Sequence, residues 1–361
     1  MLPQDHRQGH KNMTSFANQI INWQVEHGRN HLPWQKDNDP YRIWLSEIML
    51  QQTGVKTVQR FYGKFLDQFP CLSSLSRATE DEVLRKWSGL GYYRRARNML
   101  SAAKNIATTK NGKFPNTYEG LMALPGVGRS TAGAILVFAF GKNYPILDGN
   151  VKRVLARYFC IESPLAEGAV NKKLWQLSEQ LLPKDNIQPY TQGLMDLGAT
   201  ICTKSKPKCH LCPLRRRCKT LKEGKCLVVP VRKKKSPTPV KETYMLITVN
   251  NGYLMMERRD YKGVWGGLLS FPEIGSQEQI RAWLADSDFK FINIKYLKSV
   301  THIFSHYRAI IHPILAESEI KGKTFAGQSV FWLTYQDALE AAIPAAIRKI
   351  IRLNLQDLVD H

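Results

Sequence analysis

The chain has 361 residues, enough for two domains, and its 52 Lys and Arg against 30 Asp and Glu give a formal charge of +22. The excess is uneven: residues 241–361 hold 14 basic and 13 acidic residues, which leaves 38 and 17 for residues 1–240, the footprint of a polyanion partner for the first part. No uninterrupted apolar run approaches the ~18 residues of a membrane span. The polar start MLPQDHRQGHKN also lacks the apolar core of an export signal. A cytoplasmic protein without membrane contact is expected. Its thiols would stay reduced, so clustered cysteines point to metal rather than to disulfides.

The first part reads helical. Asp39-Pro40 is a helix start, with the N-cap at Asp39 and Pro at N1. The helix YRIWLSEIMLQQT that follows is apolar on almost every side and is therefore expected to be buried. Glu47 lies in its middle, between Ile43 and Leu50. A carboxylate there faces a polar cleft, has a raised pKa, or lies on a narrow wet stripe. Thr79 to Glu82 is a capping box opening the helix DEVLRKW. That helix stops at Ser88-Gly89-Leu90-Gly91, and the next is expected to carry YYRRARNML. Tyrosines and arginines beside glycines suit DNA, although an aromatic pair alone is more often packing.

The stretch LPGVGRSTAGAILVFAFGKNYPILDGNVKR organises the first part. Gly126 and Gly128 can take positive φ and permit close approach of another backbone. The amides after them open an apolar helix, Ala132 to Phe140, whose N-terminus favours an anion such as a DNA phosphate. Asp148 then precedes the helix VKRVLARYF. Taken singly, LPGVG is an ordinary helix–helix turn and Asp148 a plain N-cap. The helix NKKLWQLSEQLL and the segment GLMDLGATIC lead on to four cysteines spaced C-x6-C-x2-C-x5-C: Cys202, Cys209, Cys212 and Cys218. Lys204, Lys206, Lys208 and Arg215 to Arg217 lie between them. Four thiolates in one loop ligate zinc or an iron–sulfur cluster, and spacing alone does not choose. Cys71, Cys160 and Cys226 fall outside the pattern.

Residues 227–241, basic and Pro-rich, read as an extended linker. Strand patterns TYMLITV and YLMMER then flank Asn250-Asn251-Gly252, a hairpin signal. Further strands are expected at FINIKYL, YRAIIHPIL and QSVFWLTY, and helices at QEQIRAWLAD and AAIRKIIRLNL. This is an α+β module with almost no net charge.

Together, WLSEIMLQQT, GLGYYRRARN, LPGVGRSTAGAI, ILDGNVKR and the four-cysteine loop, spanning residues 44–218, closely resemble the MutY family of adenine DNA glycosylases, within the helix-hairpin-helix superfamily. The C-terminal part resembles that family's second domain, which is related to Nudix hydrolases. The resemblance implies a multidomain protein. An all-α helix-hairpin-helix glycosylase domain would occupy residues 13–226, with an Fe–S loop at 202–218. The linker 227–241 would lead to an α+β Nudix-like 8-oxoguanine recognition domain at 242–361. It implies a [4Fe–4S] cluster on Cys202, Cys209, Cys212 and Cys218. It also implies a monomeric, nucleoid-associated enzyme acting on double-stranded DNA with A:8-oxoguanine or A:G mispairs.

Carried over residue by residue, the general acid falls on Glu47 and the second carboxylate on Asp148. DNA contacts fall on Gly126, Gly128 and Ser130, duplex-inserted residues on Gln52 and Tyr92, and the lesion-contacting loop on Phe304, Ser305 and His306. Glu47, held neutral by burial, would protonate adenine N7, and Asp148, ionised by helix N-terminal amides, would stabilise the oxocarbenium-like sugar. In bifunctional relatives a Schiff-base lysine stands where this chain has Ser130, so strand cleavage should be weak or absent. The Nudix metal pattern is also broken. Gly267, Glu273 and Arg281 match, but Ala282, Ala285 and Asp286 occupy the metal-binding positions, which leaves a recognition role. Two alternatives stand: an endonuclease III-type glycosylase/lyase, and a non-catalytic Fe–S DNA-binding protein. The latter leaves Glu47 on its apolar helix unexplained.

Overall fold

The structure is a computed structural model, and it describes residues 5–231, 237–276, 279–280, 289–304, 306–320 and 330–356. The chain forms two compact units. One holds the helical part up to Arg77 and from Asn98 to Lys234. The other holds Ala78–Arg97 and the chain from Lys235 onward.

The helical unit contains α1 (Asp5–His27), α2 (Pro40–Leu50), α3 (Val55–Gln68) and α4 (Leu72–Arg77). Asp39 caps α2 as the sequence predicts, its carboxylate accepting from the Tyr41 amide at 2.8 Å. In the second unit, the Thr79–Glu82 capping box opens α5 (Glu80–Trp87). Helix α6 (Arg94–Thr109) starts later than expected. Tyr92 and Tyr93 precede it, because Gly89, Gly91 and Tyr92 all take positive φ and interrupt the helical backbone.

The helical unit continues with α7 (Tyr118–Met122), α8 (Arg129–Phe140), α9 (Gly149–Phe159), α10 (Gly168–Gln180) and α11 (Ile187–Asp196). Residues 132–137 of α8 are all buried, as a helix apolar on every side requires. Close approach is built in at Gly133, where a Cβ would lie 2.5 Å from the Pro145 carbonyl, so the segment leading to Asp148 lies directly on α8. Val154 and Leu155 of α9 join Phe16 and Ile20 of α1 and Tyr190 and Leu194 of α11 in one core. A π-helical turn, Leu197–Ile201, delivers the chain to Cys202, and α12 (Lys219–Lys222) follows the last cysteine of the loop.

The described strands of the second unit are β1 (Val240–Asn250), β2 (Tyr253–Arg258), β3 (Leu269–Ser270), β4 (Glu273–Ile274), β5 (Phe289–Tyr296), β6 (Val300–Ile303), β7 (Arg308–Ile320) and β8 (Val330–Leu333). They form one sheet in the order β3-β2-β1-β7-β5, with β4 also on β1, β6 on β7 and β8 on β2. The β1–β2 hairpin turns at Asn251 (φ 47°) and Gly252 (φ 76°), two positive values that match the right-handed strand twist. Strands β1 and β7 are parallel, from Val240 opposite Arg308 to Val249 opposite Glu317. Helices α13 (Tyr335–Glu340) and α14 (Ala345–Asn354) complete the unit, and Ile347, Ile350 and Ile351 of α14 enter a core with Met245, Ile247 and Phe271. The expected helix QEQIRAWLAD lies, apart from residues 279–280, outside the described residues.

Segment 78–97 is tied to this unit by specific contacts. Arg258 donates to both Asp81 carboxylate oxygens at 2.8 Å, the Arg97 guanidinium meets the Gly266 carbonyl, and Arg348 Nη2 donates to Ser88 Oγ at 2.9 Å.

Candidate active site

Glu47 and Asp148 line one cleft of about 930 Å³ in the helical unit, together with Ser130, Asn150, Trp34 and Gln192. Helix α2 brings in Glu47, and its flanking residues Ile43, Trp44, Ser46 and Ile48 are buried. Burial, and after it the nearby Asp148 charge, push the Glu47 carboxyl up from 4.5 to about 8. Two of the options open from sequence therefore hold at once: the carboxyl faces the cleft and is hard to ionise there.

Asp148 is the N-cap of α9. Its Oδ1 accepts from the Asn150 and Val151 amides at 3.0 and 2.7 Å, and its Oδ2 from Asn150 Nδ2 at 3.1 Å. Burial raises its pKa, and these hydrogen bonds pull it back down without cancelling the rise. The amides thus oppose desolvation of the anion but do not outweigh it.

Ser130 stands on the first turn of α8. Its Oγ accepts from the Leu147 amide at 3.0 Å, fixing the residue next to Asp148. In the hairpin before it, Leu121, Leu124 and Val127 are buried while Gly126 and Gly128 are exposed. Gly126 takes φ 81°, but Gly128 is extended at φ −97°. Gly128 is thus the open N-cap of α8 rather than a left-handed residue, with nothing within 4 Å of where a Cβ would sit. Gln51 Nε2 bridges the end of α2 to this turn through the Gly126 carbonyl and Thr131 Oγ1, both at 3.3 Å. Gln52 follows, exposed and at φ 58°. In the second unit, Tyr92 is 48 % exposed and at φ 50°. A left-handed backbone is uncommon for either residue type and marks both as held projections.

Cys202, Cys209, Cys212 and Cys218 are free and half-buried. Burial, then the proximity of Cys202, Cys218 and Cys209, pushes the Cys212 thiol up to about 12, so the four sulfurs share one neighbourhood. Among the described residues no three of them offer sulfurs within 4.8 Å of one another. A tetrahedral zinc with Zn–S near 2.3 Å would need sulfurs about 3.8 Å apart. Four thiols on one loop are a donor set that fits a metal ion or an iron–sulfur cluster. Lys204, Lys206, Lys208 and Arg215 to Arg217 all face solvent around it.

Sequence reading missed the groups that tie this loop to Asp148. Arg153 of α9 donates to Asn150 Oδ1 (2.8 Å), the Gly149 carbonyl (3.2 Å), the Gly198 carbonyl (2.6 Å) and the Cys202 carbonyl (2.8 Å). One turn on, buried Arg157 reaches Cys202 Sγ (3.3 Å) and the carbonyls of Thr203 (2.8 Å) and Val229 (2.8 Å). Their i, i+4 spacing was the available signal. Arg29, a cleft residue, holds buried Asp196 from 167 positions away, and no local pattern announces that pair.

In the second unit Phe304 is half-buried, stacked on Tyr307 (4.5 Å between centroids) and packed on Trp265 (5.2 Å). It lies in the turn between β6 and β7, His306 is exposed, and Ser305 lies outside the described residues. Glu273 is paired with Arg259 at 2.7 Å and Gly267 takes φ 78°, while Arg281, Ala282, Ala285 and Asp286 lie outside the described residues. No described helix is long and apolar enough to cross a membrane.

A hairpin before a buried helix, with two carboxylates in the cleft beneath it, is the architecture of a base-excision glycosylase. The family model "HhH-GPD superfamily base excision DNA repair protein" matches residues 45–180, and the NUDIX domain model matches residues 243–353. The chain is 38% identical over 343 residues to the adenine DNA glycosylase of Buchnera aphidicola subsp. Schizaphis graminum, covering 94% of this chain and 98% of that protein. It is 30% identical over 402 residues to the Mus musculus adenine DNA glycosylase, covering 94% and 78%. This chain belongs to the adenine DNA glycosylase family. Among solved structures it is similar to a thermostable thymine-DNA glycosylase (TM-score 0.54, 29% identity, 59% of this chain and 98% of that one). It also shares the fold of endonuclease III in a non-covalent DNA complex (TM-score 0.50, 19% identity, 62% and 99%).

Proposed function

We propose that this chain removes adenine mispaired with 8-oxoguanine or guanine in double-stranded DNA by hydrolysis, leaves an abasic site, and has little or no lyase activity. The observation that carries this reading is the pair of unlike carboxylates in one cleft. With a pKa of about 8, Glu47 holds its proton at neutral pH and is placed to deliver it to N7 of a flipped adenine. Asp148, with two backbone amides and Asn150 on its oxygens, is the group better prepared to be an anion. It would oppose the positive charge that grows on the sugar as the glycosidic bond breaks. Ser130 cannot form an imine, and its oxygen is already engaged with Leu147.

Phosphates would meet the exposed Gly126–Gly128 turn and the first turn of α8. Gln52 and Tyr92, held at positive φ, are suited to insertion into the duplex, and Phe304, Ser305 and His306 to reading the base opposite adenine. Cys202, Cys209, Cys212 and Cys218 would hold a [4Fe–4S] cluster, which would clasp the basic loop in one shape. The domain limits 13–226, 227–241 and 242–361, a monomeric state and a cytoplasmic, DNA-associated location belong to the same reading.

The test is a nicking assay on an A:8-oxoguanine duplex. Strand breaks only after hot alkali are expected. Breaks without alkali would point to a glycosylase/lyase, and no breaks under either condition would remove the reading.

A further inference from the structure

We infer that Cys226 is a reserve ligand of the four-cysteine site, able to replace Cys209; this rests on the iron–sulfur reading above. Cys226 stands eight positions after Cys218, outside the C-x6-C-x2-C-x5-C spacing. Its sulfur nevertheless lies 3.8 Å from Cys209 Sγ, and both residues are half-buried.

The approach is built into the scaffold. The Lys225 amide donates to the Thr220 carbonyl at 2.9 Å, and the Val228 and Val229 amides both donate to the Lys225 carbonyl at 3.0 Å. Lys225 Nζ is anchored on Glu162 at 2.6 Å and Glu223 at 2.9 Å. Arg157 donates Nε to the Val229 carbonyl at 2.8 Å while its Nη1 reaches Cys202 Sγ at 3.3 Å. One guanidinium therefore fixes the segment carrying Cys226 and the loop carrying the ligands. Cys209 opens a short turn, Cys209–Leu211, closed by the Cys212 amide on its carbonyl at 3.2 Å.

A change of rotamer moves a thiol by about 3 Å, comparable to the separation of these two sulfurs. Exchange of one thiolate for another needs no oxidant: Cys226 gives up its proton on ligation and the ligand set remains four thiolates. Cys71 and Cys160, the other cysteines outside the spacing, instead set their sulfurs against Ser74 Oγ at 3.7 Å and a Glu223 carboxylate oxygen at 3.3 Å.

The experiment compares anaerobically purified wild type, Cys209→Ser, Cys226→Ser, the double variant and Cys202→Ser for iron per chain and visible absorbance. Wild type and Cys226→Ser should be fully loaded. Cys209→Ser should keep at least half of its iron, and the double variant and Cys202→Ser less than a tenth. Cys209→Ser as empty as the double variant would overturn the inference. A second measurement needs no ligand variant: iron loss from the holoprotein to a chelator should be at least threefold faster in Cys226→Ser than in wild type, and equal rates would overturn it as well. One zinc in place of iron in the wild type would defeat the cluster reading itself, whereas loaded wild type beside empty Cys209→Ser defeats only the role of Cys226.

Discussion

Replacing Glu47 by Gln should make the protein inactive and, above pH 5, more stable. The carboxyl is raised from 4.5 to about 8, first by burial and then by Asp148. In the folded chain Glu47 therefore keeps a proton that the unfolded chain releases once the pH passes 4.5. The stability it contributes is fully present below that value, declines through the interval, and is lost by about pH 8. At ~1.36 kcal/mol per pH unit, the loss at pH 8 is about 4 kcal/mol for a fully desolvated group. Because the side chain reaches the cleft, half of that, about 2 kcal/mol, is the working figure after allowance for solvent screening. Gln never ionises, so the variant should match wild type near pH 5 and exceed it by about 2 kcal/mol at pH 8. In a chain of 361 residues that is a rise in melting temperature of about 3 °C. Melting curves at pH 5, 6, 7 and 8 provide the stability arm. Single-turnover adenine release provides the other, with a loss of about 10²–10⁴-fold for removal of a general acid. A stability gap that stays constant with pH would refute the argument that Glu47 is strained by ionisation, and near-normal release would refute its role as the acid.

Ser130→Lys should allow borohydride to trap a protein–DNA adduct above the wild-type background, and removal of the acceptor for Leu147 should cost roughly 1–3 kcal/mol of stability; strong trapping by the wild type would contradict hydrolysis alone. Arg153→Met removes every hydrogen bond between α9 and the Gly198 and Cys202 carbonyls made by that guanidinium, and adenine release should fall at least tenfold while iron content is retained. Phe304→Ala should lower the ratio of single-turnover rates on A:8-oxoguanine and A:G duplexes, and an unchanged ratio would place lesion reading outside this loop.

What could be read from sequence was local. The Asp39 cap, the Thr79–Glu82 box and the Asn251-Gly252 turn each depend on groups within three or four positions, so the residues that form them stand together in the chain. Glu47 was half legible: its apolar helix announced desolvation, but the charge that adds to it belongs to Asp148, more than a hundred positions on. Arg29–Asp196 and Arg258–Asp81 are long-range pairs between ordinary-looking surface residue types, and nothing near them in sequence names the partner. The same limit explains the tyrosines. YYRRARNML has helical composition, but two glycines and Tyr92 at positive φ delay the helix to Arg94.

Helix α9 links the cysteine loop to the cleft that Asp148 lines. Asp148 is its N-cap, Asn150 touches that carboxylate, and Arg153 holds Asn150 with one arm and the Gly198 and Cys202 carbonyls with others. Arg157 repeats the attachment one turn later through Cys202 Sγ and the Thr203 carbonyl. An α-helix transmits displacement along its axis because each turn is bonded to the next, and this one spans only about 16 Å. Catalytic geometry tolerates errors of about 0.5 Å. A loop that loosened by more than that at Cys202 would move Arg153, then Asn150, and so the carboxylate oxygens that the proposed function sets against the sugar cation. Under the proposed function, the cysteine loop would serve the reaction by holding α9 still at Arg153 and Arg157, and so keeping Asp148 in place.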